Sequence, residues 1–268
     1  MRINNNVAAY NAYRNTTASS NGLSKTLEKL SSGFRINRAA DDAAGLVISQ
    51  NLRAQISGLR TATRNVQDGI SVVQTAEGAL NEVHSMLTRM RELAVQSANA
   101  GANDSDAIAA AQAEVDSLID EIDHISDETT FGSINLLDGS YAGTFQVSQA
   151  SGDTVTVTIS DLDATALTVA SLTLNGSAGA AITAIDSAIT AVSTARGDLG
   201  AMQNRFESMV NNLQVGVENL TASESRIRDA DMALEMVSFT KSQILLQAGT
   251  AMMAQANNVP QSVLRLMQ

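Results

Sequence analysis

Two histidines, His84 and His124, are all the imidazole this chain offers, and it holds no cysteine. Proton relay, covalent catalysis and soft-metal binding lean most on those two side chains. Neither histidine stands in a His-Glu-x-x-His pair, the spacing that sets two zinc ligands and a general base on one helix face. A phosphate-cradling P-loop and a Gly-x-Ser-x-Gly elbow are also missing. Carboxylates do cluster, at Asp41-Asp42 and at Glu121, Asp123, Asp127 and Glu128, and a hard cation is what such oxygens would take. A calcium loop needs oxygen ligands at alternate positions, whereas these carboxylates have the spacing of a solvated helix face. The expectation is therefore no enzyme, no metal and no cofactor.

The residues that do recur at meaningful intervals are apolar. Leu52, Ile56, Leu59, Val66, Ile70, Val73, Leu80 and Leu87 keep one alternating 4–3 frame, with Thr63, Glu77 and His84 as its polar gaps. A second frame holds Ile185, Ile189, Val192, Leu199, Phe206, Val210, Leu213, Val217, Leu220, Ile227 and Leu234, interrupted by Arg196, Gln203, Glu224 and Asp231. A mean spacing of 3.5 marks helices that bury a narrow stripe against other helices over many turns. As one helix, residues 43–100 would run roughly 85 Å at about 1.5 Å per residue. Such a rod suits a building element better than an enzyme.

Composition agrees with thin seams. Aromatics are 3% of the 268 residues, tryptophan is absent, and Pro260 is the single proline. Aromatic side chains supply much of a thick core, and an interior proline would break a long helix. No run of 18 or more apolar residues occurs, so no membrane-spanning helix is expected, and the Asn-rich start lacks the apolar stretch of a secretory signal. The net charge of -11 is uneven: residues 1–40 carry six basic side chains and one acidic, while residues 92–195 carry fifteen acidic ones and no Lys or Arg. An acidic block repels polyanions and stays in water, so no nucleic-acid partner is expected.

Along the chain, an irregular lead-in gives way to a helix using Leu23, Leu27, Leu30 and Phe34, interrupted at Ser31-Ser32-Gly33. A second break at Asn37–Asp42 precedes the long helix. Residues 100–105 form a turn that caps another helix, with Ile108, Val115, Leu118, Ile122 and Ile125 on one face. Thr154–Ile159 alternates as a half-buried strand should, Gly143–Val147 is its hairpin partner, and Leu167–Leu174 adds a further short strand. Helical periodicity resumes near Ile182. The plan is mainly α: a long coiled-coil-like helical hairpin, N- and C-terminal helices paired with each other, and a small β-hairpin insert.

Several strings converge on one family. Leu30-Ser31-Ser32-Gly33-Phe34-Arg35-Ile36-Asn37 is followed by Ala39-Ala40-Asp41-Asp42-Ala43-Ala44-Gly45-Leu46 and by Arg91-Glu92-Leu93-Ala94-Val95-Gln96. Near the other end stand Gln247-Ala248-Gly249-Thr250, Ala254-Gln255-Ala256-Asn257 and Val259-Pro260-Gln261-Ser262-Val263-Leu264. In this order, at both ends, they resemble bacterial flagellin, the subunit of the flagellar filament. The resemblance implies an inner shell from residues 1–42 and 227–268, rod segments at 43–140 and 181–226, and a short β insert at 141–180 without large outer domains. It implies a secreted protein of the extracellular flagellum that drives motility; the alternative is a hook-filament junction protein of the same axial family. Implied partners are copies of itself, the flagellar export apparatus with a C-terminal export chaperone, the filament cap and hook-junction proteins, and a Toll-like receptor of a host. The receptor motif maps onto Arg89, Leu93 and Glu114, which would also touch neighbouring subunits.

Assembly would rest on Leu23, Leu27, Leu30, Phe34, Ile244, Leu245, Val263, Leu264 and Leu266. Terminal segments with so narrow an apolar face do not offset an ordering cost of about 1–2 kcal/mol per residue, so they are expected to order on polymerisation. Gly45 and Gly249, with Ala248 and Ala251, would let helices approach closely.

Overall fold

The computed structural model describes residues 5–99 and 104–266, with side chains as far as Asn258. Its chain divides into two compact units, Met1–Ile56 with Glu218–Gln268, and Ser57–Val217.

In the first unit, α1 (Val7–Ser32) starts earlier than the Asn-rich lead-in suggested. Asn6 is a cap rather than a breaker: its side chain accepts the Ala9 N–H. The helix ends at Gly33, whose φ of 75° is the left-handed turn that glycine adopts without strain, and whose N–H bonds the Lys29 carbonyl. Phe34 therefore lies outside the helix it was expected to extend. It forms a β-bridge with Asp229, and the Arg228 guanidinium sits 4.4 Å over its ring.

Of the carboxylates singled out as cation candidates, Asp41 and Asp42 are occupied by backbone donors. Asp41 accepts the N–H groups of Asn37 and Arg38, and Asp42 accepts that of Gly45 to open α2 (Ala43–Ser97). Gly45 is needed there, because a Cβ would stand 2.8 Å from Ile36 Cδ1 and closer still to the Asp42 carboxylate. At the other end of the chain, Asp231 caps α5 (Met232–Leu266) by accepting from Ala233 and Leu234. Helices α1 and α5 pack along each other, as expected from the symmetric plan of helices, insert and helices. Both are already helical in the single chain, whereas ordering was expected to await polymerisation.

The second unit contains the remainder of α2, α3 (Ser105–Glu128), four short strands and most of α4 (Ala178–Arg228). Asp104 caps α3 by accepting the Ala107 N–H. The buried face of α3 is Ala111, Val115, Ile119, Ile122 and Ser126, a slight rotation from the expected one: Ile119 replaces Leu118 at its centre, and Ile108, Leu118 and Ile125 flank the core. A small hairpin, β1 (Thr130–Phe131) with β2 (Ile134–Asn135), follows, turning at Gly132 with φ 68°. Strands β3 (Ala142–Gln146) and β4 (Thr154–Thr158) pair antiparallel in the register Phe145 with Val155 and Gly143 with Val157. Period two then buries Val155 and Val157 and leaves the threonines outside.

No strand forms at Leu167–Leu174. The apolar residues Leu167, Val169, Leu172 and Leu174 are buried as expected, but in a run of turns. Their backbone is satisfied without a ladder. Gln112 donates to the Leu172 carbonyl and accepts from Leu174, Asp123 accepts the Ala164 N–H, and the Ala164 carbonyl accepts from Val169 and Ala170.

Helix α4 contains an 18-residue window of mean hydropathy 1.3, apolar and long enough by composition to cross a membrane, which a search for unbroken apolar runs overlooks. In this unit its Ala181, Ile185, Ala188 and Val192 belong to the core.

Candidate functional site

In the second unit α4 runs antiparallel to α2, and the two apolar frames meet. Val66, Val73, Leu80, Leu199, Phe206 and Leu213 are buried, while Leu59, Ile70 and Val210 pack against that core from its margin, and Val217 is half-buried. The Phe206 ring stands edge-on to Phe145, with centroids 5.8 Å apart. Gly69 leaves it room, since a Cβ there would lie 3.1 Å from the ring. Two of the polar gaps face one another: Arg196 on α4 approaches Glu77 on α2 to 3.7 Å. His84, a third gap, is partly buried, and its Nδ1 has no hydrogen-bond partner. Leu52, Ile56 and Leu220 lie in the first unit, Ile56 buried and the other two half-buried.

Arg89 donates to Glu114 at 2.7 Å across the α2–α3 pair and to Glu92 at 3.1 Å along its own helix. The Glu114 carboxylate, then Glu92, holds the guanidinium in its charged form more firmly than usual. Both Arg89 and Glu114 are exposed, but Leu93 is buried in the core. Of these three residues, two form a surface ion pair and the third packs in the core.

In the first unit, the paired terminal helices bury far less. No residue of α1 is fully buried along its 26 residues. Leu23, Leu30 and Phe34 are half-covered, while Leu27, Ile244 and Leu245 are at least about half exposed. Val263, Leu264 and Leu266 have side chains outside the described residues. Sequence reasoning missed several exposed members of this face: Val7, Tyr10 and Tyr13 on α1, and Val237 on α5. Helical spacing after a capping Asn6 was the available signal. Met236, Val237, Thr240, Lys241, Ile244 and Leu245 line a shallow furrow of about 480 Å³ on α5.

The less exposed positions of α1 are small in its first part, Ala9, Ala12, Thr16, Ser19 and Gly22, and larger beyond it, Leu23, Thr26 and Leu30; those of α5 mix small residues, Ser238, Ser242, Gly249 and Ala256, with Phe239, Leu246 and Met253. Polar contacts tie the pair near both ends: Asn6 donates to the Ala256 carbonyl at 2.8 Å and Lys29 meets Glu235 at 3.1 Å, while just beyond the helices Arg35 N–H donates to the Arg228 carbonyl and Ala230 N–H to that of Gly33. Gly249 makes a close approach, whereas Ala248 and Ala251 are exposed and play no such part. Among the described residues no cluster of three or more metal-ligating side chains occurs.

Long helices with a well-packed core in one unit and uncovered apolar faces in the other define a helical structural protein. The description "bacterial flagellin N-terminal helical region" fits residues 3–142, and "bacterial flagellin C-terminal helical region" fits residues 182–267. The chain belongs to the bacterial flagellin family. A flagellin of Halalkalibacterium halodurans is 52% identical over the full length of both chains. The flagellar filament core protein flaB2 of Brachyspira hyodysenteriae is 44% identical, also over all of both. Among solved structures, Bacillus cereus flagellin aligns at 36% identity and a TM-score of 0.52, covering 56% of this chain and 88% of that one. A putative flagellar hook-associated protein of Vibrio parahaemolyticus aligns with a TM-score of 0.61 over 70% of this chain and 100% of its own, and at 16% identity it shares the fold alone.

Proposed function

We propose that the terminal helix pair is the surface that filament assembly covers. The protein is a structural subunit of the bacterial flagellar filament. The observation that supports the assignment of roles is the absence of any buried side chain in α1 beside exposed Leu27, Ile244 and Leu245. Apolar area left in water on two long helices is recovered when copies stack, at about 25 cal/mol per Å². Head-to-tail contacts between identical subunits need not close into a ring, and they then propagate as a helix.

On this reading residues 1–42 and 227–268 form the inner shell, residues 43–140 and 181–226 the rod, and residues 141–180 the insert that faces outward. The chain works without catalysis or a bound cofactor and without inserting into a membrane. It leaves the cell through the flagellar export apparatus with a C-terminal export chaperone, and meets filament cap and hook-junction proteins at the filament's ends. The exposed Arg89–Glu114 pair contacts neighbouring subunits and is what a Toll-like receptor of a host would read. The hook-filament junction alternative has only likeness of fold behind it.

The test is electron microscopy of purified monomer added to filament seeds. Uniform tubes growing from the seeds are expected. Monomers that leave the seeds unchanged would overturn the reading and favour a junction protein.

A further inference from the structure

We infer that the contact between Gly249 and Thr16 sets the register of the α1–α5 pair, and that filament formation depends on that register. The inference rests on the filament reading above. The two helices run antiparallel: Asn6 meets Ala256, Gly22 lies opposite Ser242, and Lys29 meets Glu235. Between these points a Cβ on Gly249 would stand 2.7 Å from Thr16 Oγ1, inside any tolerable contact. Thr16 turns away only by giving up a hydrogen bond. Its hydroxyl donates to the Ala12 carbonyl at 2.8 Å, and a β-branched side chain has few alternative rotamers in a helix.

The ends of the pair are held by long or surface side chains, which adapt to a shift. The Gly249 position does not adapt. Sliding α5 by one turn in either direction would bring Leu246 or Met253 against Thr16 in place of a hydrogen atom. One glycine thus rejects the neighbouring registers while permitting the observed one. Register matters for a polymer because it decides which of the exposed apolar residues of α1 lie beside those of α5, and so the shape of the surface a second copy meets.

The chain has no cysteine, so an engineered pair reports the register directly. At Gly22 a Cβ would lie 3.7 Å from Ser242 Oγ, within reach of a disulfide. The full chain carrying Gly22→Cys/Ser242→Cys is oxidised as monomer, alone and with Gly249→Ala, Thr16→Ala or both. The same Gly249 and Thr16 variants without cysteines are tested for seeded elongation. Gly249→Ala is expected to cut the crosslink yield severalfold and raise the critical concentration at least about tenfold, in the range of overpacking effects. Thr16→Ala removes the obstructing hydroxyl, and the double variant should return to within about threefold of the parent. Helix propensity predicts the opposite sign for Gly249→Ala, because alanine is the better helix former. An unchanged crosslink, a double variant no better than the single one, or normal elongation from a displaced pair would each overturn the inference. Failure of the unmodified protein to elongate seeds would instead count against the filament reading and leave the crosslink result standing.

Discussion

Two residues carry the strongest expectations about the monomer. Phe206 is fully buried, edge-on to Phe145, with Gly69 shaped to its ring. Phe206→Ala is expected to destabilise the second unit by about 3–5 kcal/mol, read as a lower urea midpoint. A loss under about 1 kcal/mol would show that the two frames do not meet there. Asp41 gives a pH dependence. The Arg38 N–H holds its carboxyl below the ordinary range against the opposing desolvation, with further help from the Asn37 N–H and the nearby Lys25 and Lys29. A depressed native value stabilises the turn above the unfolded value and loses that contribution as pH falls through the native one. The melting difference between the protein and Asp41→Asn should therefore be present at neutral pH and close as acid is added below about pH 4. A constant difference down to strong acid would assign the effect to shape and not to charge. Neither Gly69 nor Asp41 was legible as more than a glycine and a carboxylate, since what each does depends on a neighbour distant in sequence or on local backbone geometry.

At the scale of elements, the sequence located helices well and misjudged their ends. Helix α1 begins seven residues into the chain because Asn6 satisfies a free N–H, and an Asn-rich string does not by itself say which Asn will cap. The third strand failed for a related reason. Leu167–Leu174 had the apolar residues of a strand, but Gln112 and Asp123 on α3 supplied hydrogen bonds that a ladder would otherwise have given. The terminal helices are formed in the single chain, yet α1 lacks any buried residue, so their opening should be cheap. Amides of α1 and α5 are expected to exchange at least about a hundredfold faster in the monomer than those of buried Val73 and Leu80, and to slow on polymerisation. Equal protection in the monomer would mean that the pair is self-sufficient.

At the scale of the molecule, two units divide the work. The second has a continuous apolar core from α2, α3, α4 and the β insert, and the first has a thin seam in which no residue of α1 is fully buried. Deleting residues 259–268 should abolish seeded elongation while leaving the cooperative unfolding of the second unit intact. Normal filaments from the shortened chain would remove the C-terminus from assembly. The acidic stretch from Glu92 to Ala195 lies within the second unit.

By itself the sequence determined the periodic stripes, the absence of thiol and imidazole constellations, the helix–insert–helix plan and the family resemblance of the two ends. These follow from local spacing and residue type, which persist whatever the chain packs against. The tertiary structure decided which stripe meets which. Glu77 and Arg196 were separate gaps in separate frames until antiparallel packing made them an ion pair. Leu93 was grouped with Arg89 and Glu114 as a surface candidate until packing placed it in the core. The register of α1 against α5 was likewise hidden, because a glycine acquires that role only when a particular threonine, near the other end of the sequence, stands next to it in space.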